Sequence, residues 1–215
     1  MKRGIQVLIV STVLLSTLSL SMTIAFGQRG ADPKSAAKYL SAHEVELNET
    51  PEPHKRIHLL MYLTPAAFAA GDNEKARTYA TELIGLGESL RYKIAGFGPS
   101  LYSDARHIGN TILGLQALAA SDVANAREHL LASGNVPGSS VLKSFGPNMQ
   151  LAKQLLESGE REAVTQYLDY CAQFWELDSG RLDRWKATIK QGVVPQFGSN
   201  LTLGLSNWRF DKRPD

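Results

Sequence analysis

Apolar residues recur three and four positions apart, almost without interruption, from Pro53 to Gln191. That period puts them on one face of an α-helix, whereas a half-buried strand alternates. Two stripes are clearest. One is Ala163, Val164, Tyr167, Leu168, Cys171, Phe174 and Trp175; the other is Leu101, Ala105, Ile108, Ile112, Leu115 and Leu118. No alternating pattern precedes residue 193. The expected fold class is all-α. With 43% apolar residues the chain can bury a core, which argues against wholesale disorder.

The helices are expected in pairs. "AAGDNEKAR" at 69–77 and "AASDVANAR" at 119–127 lie 50 residues apart, and "ESGEREAV" at 157–164 follows at a spacing of 38. Each carries a tight polar turn (Gly71-Asp72, Ser121-Asp122, Gly159) and then an alanine near the base of the second helix (Ala76, Ala126, Ala163). A small residue there lets two helices approach closely. This order of turn, acidic residue and alanine resembles the inner turn of a tetratricopeptide-like helical hairpin, across residues 51–175. The resemblance implies stacked antiparallel hairpins, a solenoid whose concave face takes a peptide or a partner protein. Repeats of that family recur every 34 residues. The wider spacings here require long connections, such as "SGNVPGSSVLKS" at 133–144.

A second motif occurs three times: "FGPSL" at 97–101, "FGPNM" at 145–149 and "FGSNL" at 197–201. Pro99 and Pro147 sit where a helix would begin, and proline is favoured there. The expectation is that each Phe packs on the next turn as a hydrophobic staple and pins a hairpin to its neighbour. The alternative is an anion site at the N–H groups of these helix starts, helped by Ser100 and Asn148. The third copy has Ser199 in place of proline and no clear helix after it.

The ends read differently. Lys2 and Arg3 precede an apolar stretch, residues 5–26, diluted by Ser and Thr and closed by Ala25-Phe26-Gly27. That is the pattern of a secretory signal peptide, cut after Gly27. The alternative is an uncut membrane anchor at residues 5–26. The expected organisation is a signal peptide (1–27), a polar segment with a short helix starting at Asp32-Pro33 (28–50), a helical-repeat domain (51–192) and an extended C-terminal tail (193–215). Phe197, Leu203 and Trp208 would anchor that tail along the last hairpin. Once the leader is lost, 21 basic residues face 21 acidic ones, so no basic field remains for a nucleic-acid partner.

Candidate chemistry is sparse. His54 and His58 share a helix face but have only Glu52 nearby as a third metal ligand. Ser103, Asp104 and His107 invite a hydrolase reading, yet no G-x-S-x-G elbow exists. Cys171, the single cysteine, sits on an apolar stripe and is expected to be buried and inert. Asn48-Glu49-Thr50 and Asn200-Leu201-Thr202 fit the glycosylation acceptor pattern. No catalytic residue, metal or cofactor is assigned. The sequence points to an exported scaffold, periplasmic or extracellular, for a protein or peptide partner. An envelope hydrolase around Ser103, Asp104 and His107 and a membrane-anchored accessory subunit are the alternatives.

Overall fold

Prolines and acidic caps decide where the helices start. In the computed structural model, which describes residues 32–92 and 97–202, helix α1 (Pro33–Asn48) is capped by Asp32, whose carboxylate accepts from Ser35 N–H at 3.0 Å. Pro51 and Pro53 then separate it from α2 (Pro53–Ala69). There follow α3 (Asn73–Leu90), α4 (Gly98–Ala119), α5 (Val123–Gly134), α6 (Ser140–Phe145), α7 (Gln150–Glu157), α8 (Arg161–Cys171) and α9 (Arg181–Lys190). A short 3-10 turn, Gly198–Leu201, ends the described chain, and no strand occurs among the described residues.

The three expected pairs are α2/α3, α4/α5 and α7/α8, and their turns share one hydrogen-bond pattern. Gly71, Ser121 and Gly159 adopt positive φ of 80°, 63° and 91°. Their N–H groups donate to Phe68, Leu118 and Leu156 carbonyls, while the next N–H groups, of Asp72, Asp122 and Glu160, reach back to Ala67, Ala117 and Leu155. Those two bonds satisfy carbonyls that a helix end otherwise leaves without partners. Asp72 and Asp122 also cap the second helix, each accepting an N–H at 3.1 Å, from Lys75 and Asn125. Ala76, Ala126 and Ala163 are buried at its base.

Each helix packs on its neighbours in chain order from α1 to α5. Helix α5 then packs on α8 and α8 on α9, with α7 lying against α4, α5 and α8. One apolar core runs from Leu40 through to Phe197. Of the stripe expected on one helix, Tyr167, Leu168 and Cys171 lie on α8 and Phe174 and Trp175 in the turn after it, and all five are buried. After α9 the chain repeats the same hydrogen-bond pattern at Gly192, whose N–H donates to Ile189 O while Val193 N–H reaches back to Thr188 O, and then runs without helix from Val193 to Phe197. Phe197 is buried and meets Trp185 edge to face, with ring centroids 4.9 Å apart. Of the three residues expected to anchor an extended tail, Phe197 packs on α9 just before the 3-10 turn, and Leu203 and Trp208 lie outside the described residues.

The equivalent turns give a test with opposite signs. A Cβ added at Gly71 would meet nothing within 4 Å, so only the left-handed backbone resists it. Gly71→Ala should destabilise by about 1 kcal/mol, and Ser121→Gly should stabilise by about 0.5 kcal/mol. Urea unfolding of the two variants measures both. A Ser121→Gly protein less stable than the parent would show that the hydroxyl, rather than the backbone, governs that turn.

Candidate functional site

Ser103, Asp104 and His107 occupy the first half of α4, and the structure commits each to the connection that follows α5. Ser103 is fully buried; its Oγ lies 2.7 Å from Pro99 O and 3.1 Å from Gly138 O and shares one proton between them. The Asp104 carboxylate accepts from the Ser139 hydroxyl, and Ser139 Oγ in turn accepts from Leu142 N–H at the start of α6. His107 receives the Asn148 N–H on Nε2 at 3.0 Å, so the ring proton is on Nδ1 and is donated to Ser133 O at 3.1 Å. No hydrogen bond joins Ser103 to His107 or His107 to Asp104. The hydroxyl proton of Ser103 points at carbonyls rather than at a base, so the row lacks the relay that activates a serine nucleophile.

Burial sets the protonation of this row. It pulls His107 down to about 4, against a weaker upward pull from its bond to Ser133 O, and so keeps the imidazole neutral. It pushes Asp104 up to about 6, with the Ser139 hydroxyl opposing. The Cys171 thiol, fully buried, is pushed well up from its ordinary value by the same cause, which keeps it protonated.

His54, His58 and Glu52 are all exposed. Among the described residues no group of three or more His, Cys, Asp and Glu is placed to hold a metal ion.

The Phe-Gly-Pro motif behaves differently from the staple expected of it. Phe97 and Phe145 are 72% and 62% exposed, so neither packs on a following turn. The buried part of the second copy is Gly146 to Met149. Gly146 takes a φ of 82°, and a Cβ there would collide with the Trp175 indole. The three copies also adopt three conformations: Gly98-Pro99 opens α4 directly, Gly146-Pro147 precedes α7 by an irregular stretch, and Gly198 opens a 3-10 turn. At the second copy the anion alternative meets occupied donors. Asn148 N–H goes to His107, Met149 N–H to Asn200 O at 2.8 Å, and Gln150 N–H to Asn148 Oδ1 at 2.8 Å.

Sequence reasoning named Asn200 only as a glycosylation acceptor and did not find its role in the fold. Its side chain is buried and its Nδ2 donates to Phe145 O and Pro147 O, both at 3.0 Å. The third copy of the motif thus clasps the second. The available signal was the Asn at the fourth position of the second and third copies, Asn148 and Asn200, where the first copy has Ser100. The clasp also removes Asn200 as a glycosylation acceptor in the folded chain, since its amide is buried.

Large apolar side chains remain at the surface beside this clasp. Val141 and Phe145 are exposed and one turn apart on α6, and Leu177, also exposed, donates its N–H to Lys143 O of the same helix at 3.2 Å.

Asp104 and His107 should make stability depend on pH in opposite senses. Asp104 is raised from 3.8 to about 6, so its contribution is present below 3.8 and lost as pH rises through about 6. His107 is lowered from 6.5 to about 4, so its contribution is present above 6.5 and lost as pH falls through about 4. Between pH 4 and 6 the two offset one another. Asp104→Asn should leave the His107 slope alone, so that melting temperature climbs more steeply from pH 4 to 6.5 than in the parent. Melting curves across that range check it; an unchanged slope would remove Asp104 from the account.

Comparison with protein-family models, with curated proteins and with solved structures finds no match to this chain. Its function is therefore read from its own side chains.

Proposed function

We propose that this protein is an exported scaffold of tetratricopeptide-like helical hairpins that docks a protein or peptide partner in the cell envelope. The observation that carries the reading is exposed Val141 and Phe145, one turn apart on α6, with exposed Leu177 hydrogen-bonded to the same helix, beside the Asn200 clasp. Monomeric surfaces carry single exposed apolar residues routinely, whereas several grouped on one face mark an interaction site. The arrangement of Ser103, Asp104 and His107 favours no hydrolase, because all three serve the packing of the 133–148 connection. Export rests on the basic start, the Ser- and Thr-diluted apolar stretch and Ala25-Phe26-Gly27, which lie outside the described residues. Among the described residues no helix is long and apolar enough to cross a membrane.

Two measurements test this. N-terminal sequencing of the processed protein should begin at Gln28, and intact Met1 in the membrane fraction would support the anchored alternative. A photo-crosslinking residue at Phe145 should capture one defined partner in the producing cell, while the same residue at exposed Glu74 on α3 should not. Because Phe145 is exposed, replacing it should change stability by less than about 1 kcal/mol. Absence of any cross-link at position 145 from a folded protein would sink the docking reading.

A further inference from the structure

Helix α9 and the segment 193–200, which crosses back beside it, enclose an open cleft of about 490 Å³, a volume within the range of ligand sites. Two arginines line it, Arg181 and Arg184, three residues apart on α9, and no Asp or Glu does. Arg181 is held in place entirely by neutral partners. Its Nε donates to Asp178 O at 2.7 Å, Nη2 to Leu177 O at 3.0 Å and Nη1 to Asn200 Oδ1 at 3.4 Å, and the guanidinium lies 4.5 Å from the centre of the Trp175 ring. Arg184 makes one bond, from Nη1 to Ser179 O at 3.1 Å. Among the described residues neither arginine has a carboxylate within ion-pair distance. Among the described residues Asp183, next to Arg184 in sequence, forms no ion pair with either arginine, and Asp178 turns Oδ2 to the Leu182 N–H at 3.2 Å. Arg56 shows the contrast: its guanidinium is met by both oxygens of Glu82.

A guanidinium oriented by carbonyls and an aromatic face keeps its whole charge for a ligand, and its planar fork suits a carboxylate. The opposite wall of the cleft supplies a second feature. Val194 and Gln196 lie in a stretch without helix, and their backbone N–H and C=O groups have no hydrogen-bond partner among the described residues. An extended peptide pairs with such an edge through its own backbone. Val193, Val194, Pro195 and the margin of Trp185 provide the apolar surface for a side chain.

We propose that this cleft binds the free C-terminal end of an extended peptide with an apolar last residue. The terminal carboxylate sits on Arg184 and Arg181, the peptide backbone runs along Val194 and Gln196, and the last side chain rests on Val193 and Pro195. The inference rests on the scaffold reading above and specifies the kind of peptide end that is held.

The test uses fluorescein-labelled Gly-Ala-Ala-X peptides, with X as Val, Leu or Phe, each made as the free acid and as the C-terminal amide. Fluorescence anisotropy with the purified protein should show the acids binding at least about tenfold more tightly than the amides, since only the acid offers a charge-assisted pair. Arg184→Gln should weaken the acids by a similar factor and leave the amides unchanged. Arg184 is exposed and makes a single bond, so the variant should melt with the parent. Equal binding of acid and amide, no binding by any of the three acids, or binding indifferent to Arg184→Gln would each overturn the proposal. Displacement of the acids by acetate or inorganic phosphate at equal concentration would also overturn it, by reducing the cleft to a general anion site. A Phe145 cross-link that persists while the acids fail to bind separates this failure from a failure of the scaffold reading. Acid-selective binding with no cross-link at Phe145 does the reverse.

Discussion

Neutral His107 joins the two halves of the molecule. It takes the Asn148 N–H on one side of its ring and gives its own proton to Ser133 O on the other. Asn148 O then accepts from the Tyr167 hydroxyl at 3.1 Å, so α4, the connection after α5, and α8 are linked through one buried path. All of these groups are buried, where a missing partner costs the full desolvation of the group left behind. A protonated imidazole would turn a second N–H toward the Asn148 N–H, so only the neutral ring fits. Ser103 and Asp104 extend the same row toward Gly138 and Ser139. What reads in sequence as a possible relay is a set of fasteners for a long connection.

The hairpins were legible because their turns are local. A left-handed residue and a small residue at the next turn are fixed by a few adjacent positions, and all three segments quoted from the sequence form them; Asp72 and Asp122 add a side-chain cap, which Glu160 does not. Helix starts at Asp32-Pro33 and Pro53 were legible for the same reason. The polar row on α4 was not. Its residues were visible, but their partners lie 26 to 41 residues further along, and nothing in the spacing selects a backbone carbonyl over a catalytic base. The Phe-Gly-Pro motif misled for a different physical reason. Similarity of sequence carried the expectation of similar packing, yet Trp175 occupies the space against Gly146 and fixes an extended left-handed backbone that turns Phe145 outward.

Charge follows the packing closely in the first half of the chain and departs from it at the end. Arg56 with Glu82, Lys75 with Glu44 and Arg106 with Glu88 each join different helices. Tyr79 adds its hydroxyl to Glu44 at 2.8 Å, so α1 is tied to α3 by two donors on one carboxylate. Such half-exposed pairs contribute little stability but fix the register of neighbouring helices. Around α9 the pattern changes. Lys186 meets Asp169 on α8, but Arg181 and Arg184 face the cleft with only neutral acceptors. A register role does not require an unpaired arginine, and that is why the cleft, rather than the ion-paired surfaces, draws the functional inference.

The third hairpin explains why the chain must return on itself. Its first helix, α7, starts only at Gln150, while α6 stops at Phe145, with Gly146 and Pro147 between them. Proline has no N–H and glycine ends a helix readily, so the break leaves carbonyls of Phe145 and Pro147 and the N–H of Met149 without helical partners. Met149 is fully buried, so water cannot serve it. Asn200 supplies what the break removes: its amide reaches both carbonyls and its own carbonyl accepts from Met149. The clasp at Asn200 and the packing of Phe197 on Trp185 together hold the segment 193–200 beside α9, where it forms one wall of the cleft.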